Sequence, residues 1–441
     1  MPKWGRALGH LPGITSPAST GPPQRIHSPR GPSCRTPADP SSSIPPGLTA
    51  LGHADRLRST ETPHLLAYLA TVTDPRARAG RRHPLVAILV LAAAAVLAGA
   101  RSIAAIAEWA ADAPQPVRAA LGARRDPRTG RWVWAVPTET TIRRTLARVD
   151  PEALAAAIGA WLADRDQPGQ PGQRRRAVAV DGKTLRGARA SGAQGRQAHL
   201  LAAMDHATRA VLAQRQVNGA PGEVPAFQPL LADLDLAGAV VTADALHTHP
   251  EAAEFLVTHK QAHYLFCVKA NQPTLLDRCT RLPWHRIPVL DRTRDRGHGR
   301  IELRTLKVVT VHHFGFPHTA QVLQVTRKTR DLRDSNIRRW RTVVVYAITS
   351  LAFAQASPAR LADLIRGHWA IENGLHYVRD VTFAEDASRV RTGTAPQVMA
   401  CLRNLVIGVL SRAGPVNLAA ALRHHARDPC RPLATLGITL G

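Results

Sequence analysis

The sequence predicts an α/β protein in which an all-helical N-terminal region precedes a strand-rich core. Three observations support this prediction. Apolar residues recur at helical spacing from Pro63 to about Leu162, runs rich in Val, Ala and Thr begin at Ala177, and a helical pattern returns at Pro358. With 441 residues, the chain is long enough for two or three domains with substantial cores.

Shifts in composition divide the chain. The first 55 residues are rich in Pro, Gly and Ser and nearly free of acids, so they cannot bury a core and we expect them to be disordered. The predicted segments are a tail at 1–55, a helical region at 56–163, a linker at 164–176, the core at 177–412 and a C-terminal tail at 413–441.

Within the helical region, an apolar run from Pro84 to Ala100 approaches the length of a membrane span. The run is rich in Ala, stands alone and is flanked by Arg on both sides. We therefore predict a buried helix of a globular domain, with a transmembrane span as the alternative.

A second feature of the helical region is the stretch from Pro137 to Leu146, which has the pattern of a capped helix start and carries Arg143 and Arg144. It resembles the second helix of a helix-turn-helix, whose N-terminal residues reach into a DNA groove. Arginine-bearing amphipathic helices are also common on solvated surfaces, so DNA contact and ordinary exposure both stay open here.

The charge balance is strongly basic. There are 58 Lys and Arg residues against 32 Asp and Glu, which gives a net charge of +26. Codon bias can explain why Arg outnumbers Lys, but it does not explain the shortage of acids. Such an excess predicts a nucleic-acid binder, and a merely basic soluble protein is the alternative.

The number and spacing of the cysteines indicate the redox state of the compartment in which the protein works. Five of them are widely spaced, without the pairing expected of a zinc site or a disulfide framework. The N-terminus also lacks the apolar core of a signal peptide. These features favour a reducing cytoplasm.

Two short apolar strands each lead into a carboxylate. The run at 177–180 precedes Asp181, where we expect the strand to stop, and the run at 239–243 precedes Asp244. Burying an unpaired charge is costly, so an acid at such a strand end is rarely there for packing. Two of them on neighbouring strands would make a candidate divalent-metal site suited to phosphoryl transfer.

The order of elements after the linker is three strands, a helix, a strand, a helix and a strand. The later elements are predicted at His199–Met204, Ala210–Ala213, Pro225–Leu236, Pro250–His259 and Tyr264–Val268. This is the order of a ribonuclease-H-like fold, in which the first and fourth strands lie side by side; that adjacency rests on the fold-level analogy. Alternating segments at about 270–355 predict a β-rich insertion.

A two-metal site needs further oxygen ligands, because each cation prefers several. The helix predicted from Arg360 to Asp380 offers Glu372, beside an apolar stripe of Leu364, Ile371, Leu375 and Val378. Its polar stripe contains His368, Glu372, His376 and Arg379. From spacing alone, Asp380, Glu385 or Asp386 could instead provide the third carboxylate, or none of these acids could.

Five motifs in a fixed order carry a family resemblance. They are Asp181–Gly187, Thr242–His247, Val268–Thr274, His298–Arg300 and His368–Asn373. Over roughly residues 60–412 the chain resembles the H-repeat-associated insertion-sequence DDE transposases of bacteria. The resemblance implies a ribonuclease-H-like catalytic core interrupted by the β-rich insertion.

The same resemblance implies a mechanism. Asp181, Asp244 and Glu372 would form a triad that binds two Mg²⁺ or Mn²⁺ ions. The site would hydrolyse a strand at the transposon end, and the 3′-hydroxyl so produced would attack target DNA. The implied partners are double-stranded DNA, as element ends and target, and further copies of this chain in a homodimer or higher multimer; we expect no membrane partner and a nucleoid-associated place in the cytoplasm.

Two other function classes stay open. The chain could be a non-catalytic DNA-binding relic of a transposase, or a stand-alone metal-dependent nuclease or resolvase.

Several basic or polar residues are candidates for DNA contact. Lys183 and Arg186 closely follow the first acid, and Lys269 and Asn271 end the fifth strand. Arg300 lies in an arginine-rich loop that we expect to track the phosphate backbone. The remaining candidates are His368 and Arg379, at places where the wider superfamily often has Arg and Lys, together with Arg143 and Arg144. By contrast, we expect His247 and His249 to be ordinary surface histidines.

Overall fold

The computed structural model describes most of the chain beyond residue 63. The described residues are 64–79, 81–126, 133–165, 175–189, 197–217, 222–297, 299–332, 340–414 and 417–440. The predicted tail at 1–55, most of the linker and His298 lie outside them.

The N-terminal region is helical, as predicted. Its helices are α1 (Leu65–Leu69), α2 (Leu85–Leu97), α3 (Ile103–Asp112), α4 (Gln115–Ala120), α5 (Glu139–Leu146) and α6 (Pro151–Asp164), with a small ribbon of β1 (Arg124–Arg125) and β2 (Trp134–Ala135). The apolar run forms α2, which is buried over nearly its whole length. Along the described ranges, no helix combines the length and apolar character needed to cross a membrane. The predicted buried helix is therefore confirmed.

The core is built on a large mixed sheet, which confirms the α/β class. The described strands are β3 (Ala177–Arg189), β4 (Gln197–Asp205), β5 (Val211–Val217), β6 (Val240–Ala243), β7 (His263–Val268), β8 (Asp291–Gly297), β9 (Arg300–Thr310), β10 (Gln321–Asp331) and β11 (Arg341–Thr349). They form one nine-stranded sheet in the order β5-β4-β3-β6-β7-β11-β10-β9-β8.

The first and fourth core strands are direct neighbours. Strand β3 pairs in parallel with β6, and β6 pairs in parallel with β7, whereas β4 and β5 continue the sheet on the other side in antiparallel fashion. Parallel neighbours end at the same edge of a sheet, so residues after β6 and β7 lie beside the middle of β3.

Strand β3 is longer than the sequence suggests. We expected it to stop at Asp181, but it runs to Arg189. Its pairing with β6 does end at Val180, opposite Ala243. Pairing with β4 continues beyond that point, from Asp181 opposite Ala202 to Thr184 opposite His199, and keeps the chain extended.

The β-rich insertion extends the central sheet. Strand β11 pairs antiparallel with β7, with Tyr346 opposite Val268, and β8–β10 follow outward from it. The insertion also contains helix α9 (Pro273–Arg281), which the sequence pattern did not indicate.

The core region contains further helices. In the described part of the core these are α7 (Val224–Leu231), α8 (Pro250–Glu254), α10 (Pro358–His368), α11 (Ala395–Arg412), α12 (Leu418–Ala426) and α13 (Cys430–Thr435). The last two lie in the segment expected to be a C-terminal tail. One apolar cluster contains Ile88 of α2, Trp161 of α6, Val180 of β3 and Leu405 of α11. The N-terminal helices and the sheet therefore share one hydrophobic core.

A glycine marks a close approach between these two regions. Helix α6 lies against β5 so tightly that a Cβ on Gly159 would overlap the backbone carbonyl of Leu212. We expect Gly159→Ala to lower the free energy of unfolding by about 1–3 kcal/mol, since overpacking against backbone cannot be relieved by a side-chain rotation. Urea unfolding measures this. The control is Gly297→Ala, where a Cβ would meet open space; equal stability of the two variants would contradict the close packing.

Candidate active site

The parallel pairing of β3 and β6 brings two predicted acids to one edge of the sheet. Val180 and Ala243 are register partners, so Asp181 and Asp244 follow them as neighbours. Asp244 follows β6 and caps the short 3₁₀ turn Ala245–His247, where its carboxylate accepts a hydrogen bond from the backbone N–H of Leu246 at 2.9 Å. This local bond fixes the direction of Asp244 at the sheet edge.

The third predicted acid lies just beyond α10. Glu372 begins a wide turn with i→i+5 hydrogen bonds, Glu372–His376, and a second such turn follows at Val378–Thr382. Wide turns of this kind are frequent at functional sites. The predicted apolar stripe is buried, and Glu372 itself is exposed.

The electrostatics of Asp181 show that the acids lie near one another. Burial, and after it the negative charges of Asp244, Glu372 and Glu223, raise the pKa of Asp181 to about 7. The hydrogen bond from the backbone N–H of Gly182 opposes this rise. The negative charges of acids on separate elements therefore raise the pKa of the same carboxyl group.

A histidine lies against the first acid. His376 Nδ1 is 3.4 Å from Asp181 Oδ2. Burial, together with the charges of Arg379 and Lys183, lowers the pKa of His376 to about 3. The imidazole is therefore neutral at physiological pH and can orient the Asp181 carboxyl without adding positive charge.

The donor set suits a hard divalent cation. Asp181, Asp244 and Glu372 offer carboxylate oxygens, which Mg²⁺ and Mn²⁺ prefer. The mutual repulsion that raises the Asp181 pKa is the kind of interaction that a cation would relieve. Among the residues that the structure describes, no group of three or more His, Cys, Asp or Glu side chains has the geometry of a formed metal site.

The competing acids are engaged elsewhere. Asp380 accepts two hydrogen bonds from Lys183 Nζ, at 2.6 and 2.7 Å. Glu385 is only 3 % exposed and pairs with two arginines, Arg379 and Arg403. Asp386 Oδ2 is 3.8 Å from a guanidinium nitrogen of Arg186. The positions of these acids favour Glu372 as the third carboxylate.

Two residues that we expected to contact DNA are instead paired with acids of the protein. Arg379 is fully buried, with its guanidinium 2.8 Å from Glu385, so the prediction that it touches DNA is wrong for this structure. The two wide turns change the helical phase, which directs this residue toward α11 instead of solvent. Lys183 is 8 % exposed and ties β3 to the Glu372-bearing segment through Asp380.

Two other candidates also make internal contacts. His368 is buried, with Nδ1 3.2 Å from the hydroxyl of Thr242, and burial lowers its pKa to about 4. Asn271 donates from Nδ2 to the backbone carbonyl of Ala245 and thereby joins the loops after β6 and β7. Both residues shape the edge of the sheet.

The remaining candidates are exposed. Arg186 lies on β3, five residues after Asp181, and Lys269 directly follows β7. Arg300 begins β9, and Arg143 and Arg144 lie on the outer face of α5. Thr138 caps α5 by accepting from the backbone N–H of Thr141, as the sequence predicted. These exposed cations remain candidates for DNA contact.

One acid at the site, Glu223, was not indicated by any sequence pattern. It precedes α7, where an acid normally indicates a helix cap, but its side chain makes no cap bond. Its carboxylate instead lies 2.7 Å from His199 Nε2 and 3.1 Å from His247 Nε2. The expectation that His247 is a surface histidine is therefore wrong, since this residue is 1 % exposed.

Two family models match the chain. The model described as "DDE_Tnp_1-associated" matches residues 66–162, and the model described as "Transposase DDE domain" matches residues 172–408. The first covers helices α1–α6 and the second covers the sheet with its acids.

Two curated relatives are proteins of Escherichia coli. The putative transposase YncI of strain O157:H7 is 26 % identical over 364 residues, which span 78 % of this chain and 87 % of that protein. The H repeat-associated putative transposase YhhI of strain K12 is 24 % identical, over 80 % of this chain and 91 % of that protein. Among solved structures, a piggyBac transposase synaptic complex with hairpin DNA matches with a TM-score of 0.37 and 10 % identity, over 88 % of this chain and 80 % of that one.

Proposed function

Because the chain belongs to the transposase DDE domain family, we propose that it is the active transposase of an insertion sequence. In this role it binds the terminal repeats of its element and catalyses metal-dependent strand cleavage and strand transfer. The observation that carries the proposal is the convergence of Asp181, Asp244 and Glu372, whose charges act on one another at one edge of the sheet.

The strand order supports a ribonuclease-H-like core. The first three core strands are antiparallel neighbours, and β6 and β7 follow in parallel beside β3. In open α/β sheets, ligands bind beyond the carboxyl ends of parallel strands, at the point where the strand order reverses. Asp244 and the loop after β7 lie at that place.

The roles of the side chains follow from their positions. Two bound Mg²⁺ or Mn²⁺ ions would activate water or a DNA 3′-hydroxyl and stabilise the leaving oxygen of an in-line displacement. Asp181, Asp244 and Glu372 supply the oxygen ligands. His376 orients Asp181, and the salt bridge from Lys183 to Asp380 keeps β3 beside the segment that carries Glu372.

Exposed cations provide the attraction to DNA. These cations are Arg186 on β3, Lys269 directly after β7, Arg300 on β9 and the two arginines of α5. Each phosphate contact by Lys or Arg releases counterions, so binding to element ends weakens as salt rises. The partners in this proposal are double-stranded DNA, as element ends and target, and further copies of the chain on that DNA, in the bacterial nucleoid.

A strand-transfer assay tests the function. Wild-type protein, Mg²⁺ or Mn²⁺ and DNA carrying the element's own ends should give joined products, and Asp181→Asn protein should give none while still binding the ends. Cleavage without joining would indicate a nuclease or resolvase instead. End binding without cleavage by the wild type would indicate a non-catalytic relic.

A further inference from the structure

Glu223 is held from two sides by histidines of different elements. Its Oε1 lies 2.7 Å from Nε2 of His199 on β4, and its Oε2 lies 3.1 Å from Nε2 of His247, in the turn after β6. His199 Nδ1 in turn lies 2.8 Å from the hydroxyl of Thr184 on β3. In both contacts the imidazole Nε2–H can donate to the carboxylate, and the Thr184 hydroxyl can donate to His199 Nδ1.

The structure leaves room for this carboxylate over Gly182, the residue directly after Asp181. A Cβ built on Gly182 would overlap the carboxyl carbon and both oxygens of Glu223. The residue directly after Asp181 therefore has to lack a side chain for Glu223 to occupy its position. The charge of Glu223 also contributes to the raised pKa of Asp181.

The two histidine bonds leave coordination capacity on Glu223. An ionised carboxylate has about four lone-pair sites, and the imidazoles use two of them. Hydrogen bonds to ligating carboxylates fix their orientation in metal sites. Glu223 therefore has a fixed orientation and free lone pairs. These are the properties required of a further cation ligand.

We propose that Glu223 is a fourth carboxylate of the cation site, a ligand that joins Asp181 and is positioned by His199 and His247. This inference rests on the proposed function and extends it, because the motif-based triad omits this residue. It also gives Gly182 a specific role, which is to admit the Glu223 carboxylate.

Manganese binding to the full-length, DNA-free protein tests the proposal without requiring activity. Isothermal titration with Mn²⁺ alone should show that Glu223→Gln binds about 10–100-fold more weakly than wild type, as expected when a supporting group of a metal site is lost. The amide keeps the shape of the side chain, and its oxygen can still accept the hydrogen bond from His199 Nε2. The control is Glu108→Gln, which removes the same charge from an exposed position on α3.

Gly182→Ala provides a second variant that keeps the carboxylate and both histidines. The added methyl group should displace Glu223 and weaken Mn²⁺ binding to a similar degree. The double variant should bind no more weakly than either single variant, because both changes remove the same ligand. If Glu223→Gln lost its cooperative thermal transition, Gly182→Ala would decide the question.

The outcomes separate this inference from the proposed function. Wild-type Mn²⁺ affinity in folded Glu223→Gln or in Gly182→Ala, with weak binding by Asp181→Asn, would overturn the role of Glu223 and leave the triad standing. Wild-type affinity in Asp181→Asn as well would overturn the metal site itself.

Discussion

Replacing Glu372 by Gln is expected to lower the rates of strand cleavage and strand joining by at least about 10³-fold. The change removes one carboxylate from the proposed cation site, and a loss of about 4 kcal/mol of transition-state stabilisation corresponds to about a thousandfold in rate. Binding to element ends should change little, because Glu372 is an acid and makes no attractive contact with phosphate. Single-turnover cleavage and joining rates, together with an end-binding assay, measure both expectations.

The matched control is Asp386→Asn, which makes the same change of charge on the same segment. Asp386 lies against Arg186 instead of the triad, so its variant should keep cleavage within a few-fold of wild type. Normal joining by Glu372→Gln would show that this residue is not the third acid. A large loss in Asp386→Asn instead would move that role to Asp386.

The second large effect concerns stability. Glu385→Gln should lower the free energy of unfolding by roughly 3–5 kcal/mol, because it leaves the buried guanidinium groups of Arg379 and Arg403 without a counter-charge. All three side chains are at most 3 % exposed, so water cannot replace the lost partner. Urea unfolding followed by circular dichroism measures the change.

An exposed ion pair provides the comparison. Asp277 and Arg281 form an i,i+4 pair on α9, and Asp277→Asn should change stability by less than about 1 kcal/mol. Adding Arg403→Met to Glu385→Gln should recover part of the loss, since it removes one of the two uncompensated charges. A single Glu385→Gln variant as stable as Asp277→Asn would contradict the energetic role of this network.

The sequence predicted which acids lie at the sheet edge, but it did not predict the length of β3. Runs of Val and Ala indicated β3 and β6, and the acids after them reach one edge because the two strands are parallel neighbours. The continuation of β3 past Asp181 could not be predicted from its own residues, because its pairing partner there is β4. Strand length depends on the partner strand as well as on local propensity.

Side-chain environments were harder to predict. Arg379 and Lys183 have charges that suggest exposure, yet each is buried against an acid brought close by the fold. For Lys183 the partner lies 197 positions away in the chain. Glu223 and His247 show the same limitation, since their contact joins α7 to the end of β6. A local pattern contains no record of such distant partners.

Because the N-terminal helices and the sheet share one core, the distance between a DNA-binding surface on those helices and the acids is constant. Helix α6 lies directly against β5, and α5 with its two exposed arginines belongs to the same packed body. If those arginines read the terminal repeat, their separation from Asp181 is set by rigid packing and not by a flexible tether. The protein would then act as a ruler, with the cut falling at a constant number of base pairs from the recognised sequence.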